Sequence, residues 1–219
     1  MRDRRKLIIC VDMDDTVEQL TKAWVAHTNR MFGLDMTVDD WTSWELTEVF
    51  PGHSYDEIIE PLHRPEFWKD VEMVPGADVY LRRLMDDGHE IYFATAAEHA
   101  SWHAKVYDMF LKLFPFVNER NIMNIWNKSL LRCDVMVDDG PHNLLGDYLG
   151  IMPDMPHNRS SDIDKGLTST VIRTHSWEEI YRIIDDYATY LHARNSTQQH
   201  IRTYFDALQY VKEKRYGQG

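Results

Sequence analysis

Residues 7–16 run Leu7-Ile8-Ile9-Cys10-Val11-Asp12-Met13-Asp14-Asp15-Thr16, and the change of character midway decides the fold class. Five apolar residues in succession, β-branched at Ile8, Ile9 and Val11, match a central strand of a parallel sheet, which is covered on both faces. The acids that follow then stand at the strand's C-terminal end, where open α/β sheets bind their ligands.

The pattern recurs along the chain. Leu20, Ala23, Trp24, His27 and Met31 predict a helix from Val17 to about Phe32, stopped by Gly33. Pro75-Gly76 opens a second helical period, with Val79, Tyr80, Leu84 and Met85 on one face and Asp87-Gly88 closing it. Ile91 to Ala94 predicts a strand ending at Thr95. Trp102, Val106, Met109, Phe110 and Leu113 predict a helix over 99–114, ended by Pro115. Ile122 to Trp126 and Val135-Met136-Val137 are short apolar runs, the second followed by Asp138-Asp139-Gly140. After a polar loop at 154–168, Ser169 to Ile172 predicts a further strand. Ser176-Trp177-Glu178-Glu179 is a capping box for a helix reaching about His192. From Thr197, the spacing of Ile201, Tyr204, Phe205, Leu208 and Val211 predicts one more amphipathic helix. Strands alternating with helices imply a parallel sheet with right-handed crossovers.

Composition limits what such a sheet does. The 219 residues are 43% hydrophobic, enough for one α/β domain and a modest insertion. Twenty-four Lys and Arg against 36 Asp and Glu give a net charge of −12, which disfavours polymeric nucleic acid and anionic membrane as partners. Residues 35–60 hold eight acids, no Lys or Arg, and the aromatics Trp41, Trp44, Phe50 and Tyr55; this marks an insertion outside the alternating core. The apolar run before Asp12 is too short for a secretion signal or a membrane span, so a soluble, cytoplasmic protein is expected. Cys10 and Cys133 lack metal or redox spacing and are expected to be reduced core residues.

In a parallel sheet the ends of three strands, Asp12-x-Asp14-x-Thr16, Thr95 and Asp138-Asp139, share one rim. Four carboxylates gathered there need a cation, and oxygen ligands without clustered His or Cys favour a hard ion, Mg²⁺. Asp12 is the candidate nucleophile, able to form an aspartyl-phosphate, and Asp14 the candidate acid and base. Thr95, with the N–H groups of Ala96 and Ala97, is placed to hold phosphate oxygens. Other chemistry-bearing residues have plainer readings: Lys105, Lys112 and Lys165 as surface lysines, Asp15 as a turn or cap, His99 and His103 as a solvated helix face. His157 and Arg159 fall in the long loop.

Asp12-Met13-Asp14-Asp15-Thr16, Thr95, Lys128 and Val137-Asp138-Asp139 resemble the four ordered motifs of the haloacid-dehalogenase-like phosphatases. The segment from Phe67 to Ala77 containing Val74-Pro75-Gly76-Ala77, Phe114-Pro115-Phe116 and Pro156-His157-Asn158-Arg159 narrow this to a resemblance to the 5′(3′)-deoxyribonucleotidase family, over the chain to about residue 185. The resemblance implies an α/β fold: a Rossmann-like three-layer core with a parallel sheet (1–18 and 73–195) and a small helical cap of the C1 type (19–72); residues 196–219, read from their own spacing, are expected to be a C-terminal helical extension. It implies a Mg²⁺-dependent phosphatase of deoxyribonucleoside monophosphates, 5′ or 3′. The alternatives are a phosphatase or phosphotransferase acting on another small phosphomonoester, and a non-catalytic receiver-like module. Lys128 would offset charge on the phosphate and on Asp12. Mg²⁺ would sit on the Asp12 side chain, the Asp14 backbone carbonyl, and the pair Asp138 and Asp139, with Asp139 aligned to the ligand position. Leu20 matches a position that packs near the base. Trp41, Trp44, Phe67 and Trp68 are either the insertion's own core or base-stacking residues. A nucleoside monophosphate is the implied small-molecule partner, and a homodimer is a possible assembly. Two departures stand out: the family usually has Gly-Val where this chain has Asp15-Thr16, and often Ser-Pro where it has Ala96-Ala97.

Overall fold

Alternate residues of the strands face two different cores. In β1 (Ile8–Val11), Ile9 and Val11 join the larger hydrophobic cluster and Cys10 the smaller one. After β2 (Glu90–Thr95) and β3 (Ile122–Asn124), the division repeats in β4 (Val135–Val137), where Met136 faces opposite to Val135 and Val137. It continues in β5 (Leu149–Pro153), with Leu149 and Ile151 against Met152, and in β6 (Val171–Thr174), with Ile172 against Val171. A period of two with both faces apolar is what a sheet covered on both sides requires. This computed structural model describes residues 4–165, 169–194, 206 and 209–214. Within them all strand pairings of the sheet are parallel and the strand order is β3-β2-β1-β4-β5-β6. The chain winds outward from β1 to β3 and returns to β1's other side at β4, so the direction of winding reverses between β1 and β4.

The helices are α1 (Leu20–Phe32), α2 (Leu46–Val49), α3 (Tyr55–Ile59), α4 (Ala77–Asp86), α5 (His99–His103), α6 (Leu111–Leu113) and α7 (Trp177–Arg194). α1 starts three residues later than its periodicity predicts, because residues 17–19 are occupied elsewhere. Gln19 N donates to Glu72 O (2.8 Å), Val74 N to Val17 O (2.9 Å), and Gln19 Nε2 to Met73 O (2.8 Å). The outgoing and returning chains thus clasp each other where segment 19–72 leaves the sheet. That segment has aromatic packing of its own: Trp41 lies 5.0 Å from Trp24 and 5.3 Å from Phe50, and Trp24 Nε1 donates to Ile58 O (2.8 Å).

The helix expected over 99–114 is one continuous helical run, but its middle, Ala104–Phe110, is π-helical. Its Phe110 packs on Phe93 of β2 at 4.8 Å. β5 has no counterpart in the sequence reading, and β6 begins two residues later than expected because the Ser169 hydroxyl accepts the Val171 N–H in a local turn (3.1 Å). Most of the expected terminal helix, 195–205 with 207 and 208, lies outside the described residues. Residues 209–214 are helical, with Val211 buried and Tyr210 stacked on Tyr190 at 5.0 Å. Cys10 is buried, Cys133 half-buried, and both are free thiols. Among the described residues no helix is long and apolar enough to cross a membrane.

At the start of β1, Leu7 N donates to Nδ1 of buried His89 (3.2 Å). That bond needs a neutral ring, and burial pushes the His89 pKa below its ordinary value. The unfolded chain therefore takes up a proton before the folded one does. The stability this confers is fully present above about pH 6.5 and is lost as pH falls through the folded pKa. Thermal melts between pH 7.5 and 5 are expected to show a larger fall in wild type than in His89→Asn, whose side chain does not titrate; parallel curves would refute the assignment.

Candidate active site

Register brings the first carboxylates together. Val11 is paired with Val137, and Asp12 N donates to Val137 O (2.8 Å), so Asp12 and Asp138 leave the sheet side by side. Lys128, on the turn Lys128–Leu130, lies between them: Nζ is 2.7 Å from Asp12 Oδ1 and 2.7 Å from Asp138 Oδ2, with all three side chains buried. Burial opposes the ammonium charge, but Asp12 and Asp138 outweigh it and raise the Lys128 pKa. Asp138 Oδ1 also accepts from Gly140 N (2.8 Å) and Asn143 Nδ2 (3.0 Å), which commits this carboxylate to holding its neighbours.

Asp139 faces a different partner, His157 Nε2 at 2.7 Å. Burial, and then the charge of Asp138, push the Asp139 carboxyl well above the usual range; burial and the surrounding acids do the same to Asp12. One oxygen each of Asp12, Asp138 and Asp139 lie within 4.8 Å of one another. Buried oxygens that resist ionisation without further positive charge, with one lysine among three acids, fit a hard divalent cation. The donor set is therefore compatible with Mg²⁺. The Asp14 carboxylate lies outside that group; the resemblance assigned a role to its backbone carbonyl.

Asp14 has its own lysine. Lys105, in the π-helical stretch, places Nζ 2.6 Å from the Asp14 carboxylate and 2.7 Å from Thr95 Oγ1. Burial would raise the Asp14 pKa, but the charge and hydrogen bond of Lys105 reverse this, and the carboxyl sits below its ordinary value. Nearby, the carboxyl of the fully buried Glu18 is driven well above its ordinary value, by burial first and then by Asp14. Asp15 adopts a left-handed φ of 50° and caps α1: Thr21 N donates to Oδ1 (3.0 Å) and Thr21 Oγ1 to Oδ2 (2.5 Å). Burial raises its pKa to about 6.

Above this floor is a cleft of about 350 Å³ walled by Leu20, Trp41, Trp44, Ala96 and Trp126. It adjoins a hollow of about 220 Å³ that Trp68 and Lys105 line. Of the residues expected to bind substrate, Leu20, Trp41, Trp44 and Ala96 reach the cleft and Trp68 the adjoining hollow. Phe67 is not brought there: it is fully buried against His27 (5.0 Å) and Trp68 (5.2 Å), and its place is in the core. Thr95 is also fully buried, with its hydroxyl taken by Lys105. His103 faces Asp108 at 3.5 Å, and neither it nor His99 belongs to a metal-ligand group among the described residues.

Three residues at the site escaped sequence reasoning. Lys105 had the pattern of a surface lysine, yet it is buried. His157 was assigned to an exposed loop, and the structure corrects this: its ring is buried against Asp139. Trp126, 70% exposed, stands at the mouth of the cleft, and no motif marked it.

The fold is that of the haloacid-dehalogenase-like hydrolases. The solved structure of Protein Tyrosine Kinase A from Mycobacterium tuberculosis superposes with a TM-score of 0.57 at 17% identity, covering 82% of this chain and 98% of that one. The HAD-hydrolase YfnB from Bacillus subtilis, bound to magnesium, superposes with a TM-score of 0.50 at 12% identity, covering 83% and 100%. Residues 6–195 match the family model described as 5′ nucleotidase, deoxy (pyrimidine), cytosolic type C protein, and the chain belongs to that family. Among curated proteins it is similar to a 5′(3′)-deoxyribonucleotidase of Bacillus subtilis (strain 168), 28% identical over 180 residues that cover 81% of this chain and 98% of that protein. A protein of the same name in Clostridium acetobutylicum is 25% identical over 183 residues, covering 83% and 96%. The chain is a nucleotide phosphatase, a phosphoric monoester hydrolase.

The Lys128 ammonium is the partner of two buried carboxylates, and its removal leaves both uncompensated. Lys128→Met is expected to cost roughly 3–5 kcal/mol of stability in metal-free protein, as breaking a buried ion pair does. Urea unfolding of metal-free protein measures this; a loss below roughly 1 kcal/mol, the range of a surface ion pair, would contradict the buried arrangement.

Proposed function

We propose that the chain is a Mg²⁺-dependent phosphatase of deoxyribonucleoside monophosphates, acting through an aspartyl-phosphate on Asp12, with segment 19–72 as a cap over the site. The observation that carries the reading is the separate pairing of the two acids, Asp12 with Lys128 and Asp14 with Lys105, at the floor of an aromatic cleft. In-line attack by an Asp12 oxygen forms a new bond to phosphorus as the ester P–O bond breaks. Asp14 gives a proton to the departing sugar oxygen, then takes one from the water that cleaves the acyl phosphate. Lys105, touching both Asp14 and Thr95, holds Asp14 toward the reacting phosphate and favours the carboxylate form that the second step needs, so the proton of the first step is the one carried by a monoanionic phosphate ester, passed through Asp14 to the departing oxygen. A dication on Asp12 and Asp139 would supply charge neutralisation for the phosphate. Trp44 and Trp126, both exposed, offer ring surfaces to a base, which suits a nucleoside better than a bare sugar.

A panel of 5′- and 3′-deoxynucleoside, ribonucleoside and sugar monophosphates, with and without Mg²⁺, tests the substrate class. Release of phosphate from sugar phosphates alone would sink it. Asp12→Asn is expected to abolish turnover. Asp14→Asn is expected to lower kcat on a deoxynucleotide by about 10²–10⁴. With p-nitrophenyl phosphate, whose leaving group needs no proton, the same variant is expected to release nitrophenolate in a burst equal to the enzyme and then stall. Slow release without a burst would remove Asp14 from the acid–base role.

A further inference from the structure

His157 has a use that the proposed chemistry leaves open. Its Nε2 lies 2.7 Å from Asp139 Oδ2, and the ring is buried. A carboxylate that ligates a cation has no proton and only accepts, so Nε2 carries the hydrogen. Nδ1 is then a bare lone pair, which agrees with its having no hydrogen-bond partner in its buried position.

The backbone around His157 is fixed just as firmly. Asn158 Nδ2 donates to the carbonyls of Asp139 and Pro153, both at 2.9 Å. Arg173 at β6 donates to Asn158 Oδ1 (2.5 Å) and Asn158 O (3.1 Å), and also binds Asp154 and Asp164. Asp139 is thus gripped at its main chain by Asn158 and at its side chain by His157, two consecutive residues anchored through Arg173. On its other side the His157 ring meets the indole of Trp44 at 4.4 Å, edge to face. Trp44 belongs to the acidic segment 35–60 across the cleft, and its ring is 48% exposed.

We propose that His157 is a positioning residue that orients Asp139 toward the cation, and that Trp44 holds the His157 ring in place, so that the position of segment 35–60 bears on cation affinity. The inference rests on the reading of Asp139 as a metal ligand. Groups that hydrogen-bond a ligating side chain typically change metal affinity by 10–100-fold when removed.

The test uses the full chain stripped of metal and titrated with Mn²⁺, with binding followed by electron paramagnetic resonance in the absence of substrate. Wild type is expected to bind one equivalent, and His157→Leu to bind it 10–100-fold more weakly with an unchanged melting temperature. His157→Gln, which can present an N–H, should restore most of the affinity, and Trp44→Ala should fall between. The activity lost in His157→Leu should return at saturating Mg²⁺. Wild-type affinity in His157→Leu overturns the inference while leaving the metal site standing. No Mn²⁺ binding in wild type overturns the metal reading itself. Nitrogen coupling to bound Mn²⁺ that disappears in His157→Leu makes the ring a ligand and also overturns the positioning role.

Discussion

One buried ammonium organises the acidic rim of the sheet. Lys128 sits where β1 and β4 end side by side, and its charge lets Asp12 and Asp138 approach each other without water. Without it the two acids would stay protonated or push the strand ends apart. The arrangement is costly, since three charged groups give up hydration, and it is tolerable because Asp138 is also satisfied by Gly140 N and Asn143 Nδ2. Asp138 therefore serves as the brace, leaving Asp12 and Asp139 to face the cleft. The reversal of winding between β1 and β4 makes that meeting possible, because neighbouring strands there feed their following residues to the same side.

A second ion pair divides the labour. Lys105 and Asp14 are separated by 91 residues in sequence, yet their contact forms a unit distinct from the Lys128 group. The two acids have different environments. Burial and neighbouring acids raise Asp12, while Lys105 brings Asp14 down. Glu18, whose carboxyl burial and Asp14 push upward, lies on the clasp between residues 17–19 and 72–74. Charge at the site and the path of the chain into segment 19–72 are thereby coupled through four residues of sequence, Asp15 to Glu18.

Much of this was legible in the sequence because it depends on chain order and on continuous apolar runs. Leu7 to Val11 announced a buried parallel strand, and the acids after it announced a rim. What escaped reading depends on close packing. β5 carries Gly150, a poor strand former, but a Cβ there would come within 2.9 Å of Val171 Cγ2, so the glycine is demanded by β6. Lys105 looked like a surface residue because ordinary helical spacing does not account for a π-helical stretch, in which each turn takes an extra residue and side chains shift face. His157 lies in a stretch poor in periodic signal, and Arg173 is what folds that stretch inward, through bonds to Asp154, Asn158 and Asp164. Phe67 shows the reverse error: aromatic character suggested a base contact, and packing claimed the ring for the core.

Exposed and buried charges act differently at the site. Seven of the eight acids in residues 35–60 are solvent-exposed, the exception being the half-buried Glu60. Trp41, Trp44 and Leu46 of the same segment wall a cleft of about 350 Å³, a size suited to a small molecule. A lone phosphate that reaches the floor comes within close range of two buried lysines, where the low dielectric strengthens the attraction. The exposed carboxylates of residues 35–60 are screened beyond a Debye length of about 10 Å at 0.1 M salt, whereas the buried charges at the floor are screened much less. Close-range attraction at the floor of a small cleft is what a nucleotide phosphatase needs to hold the one phosphate it removes.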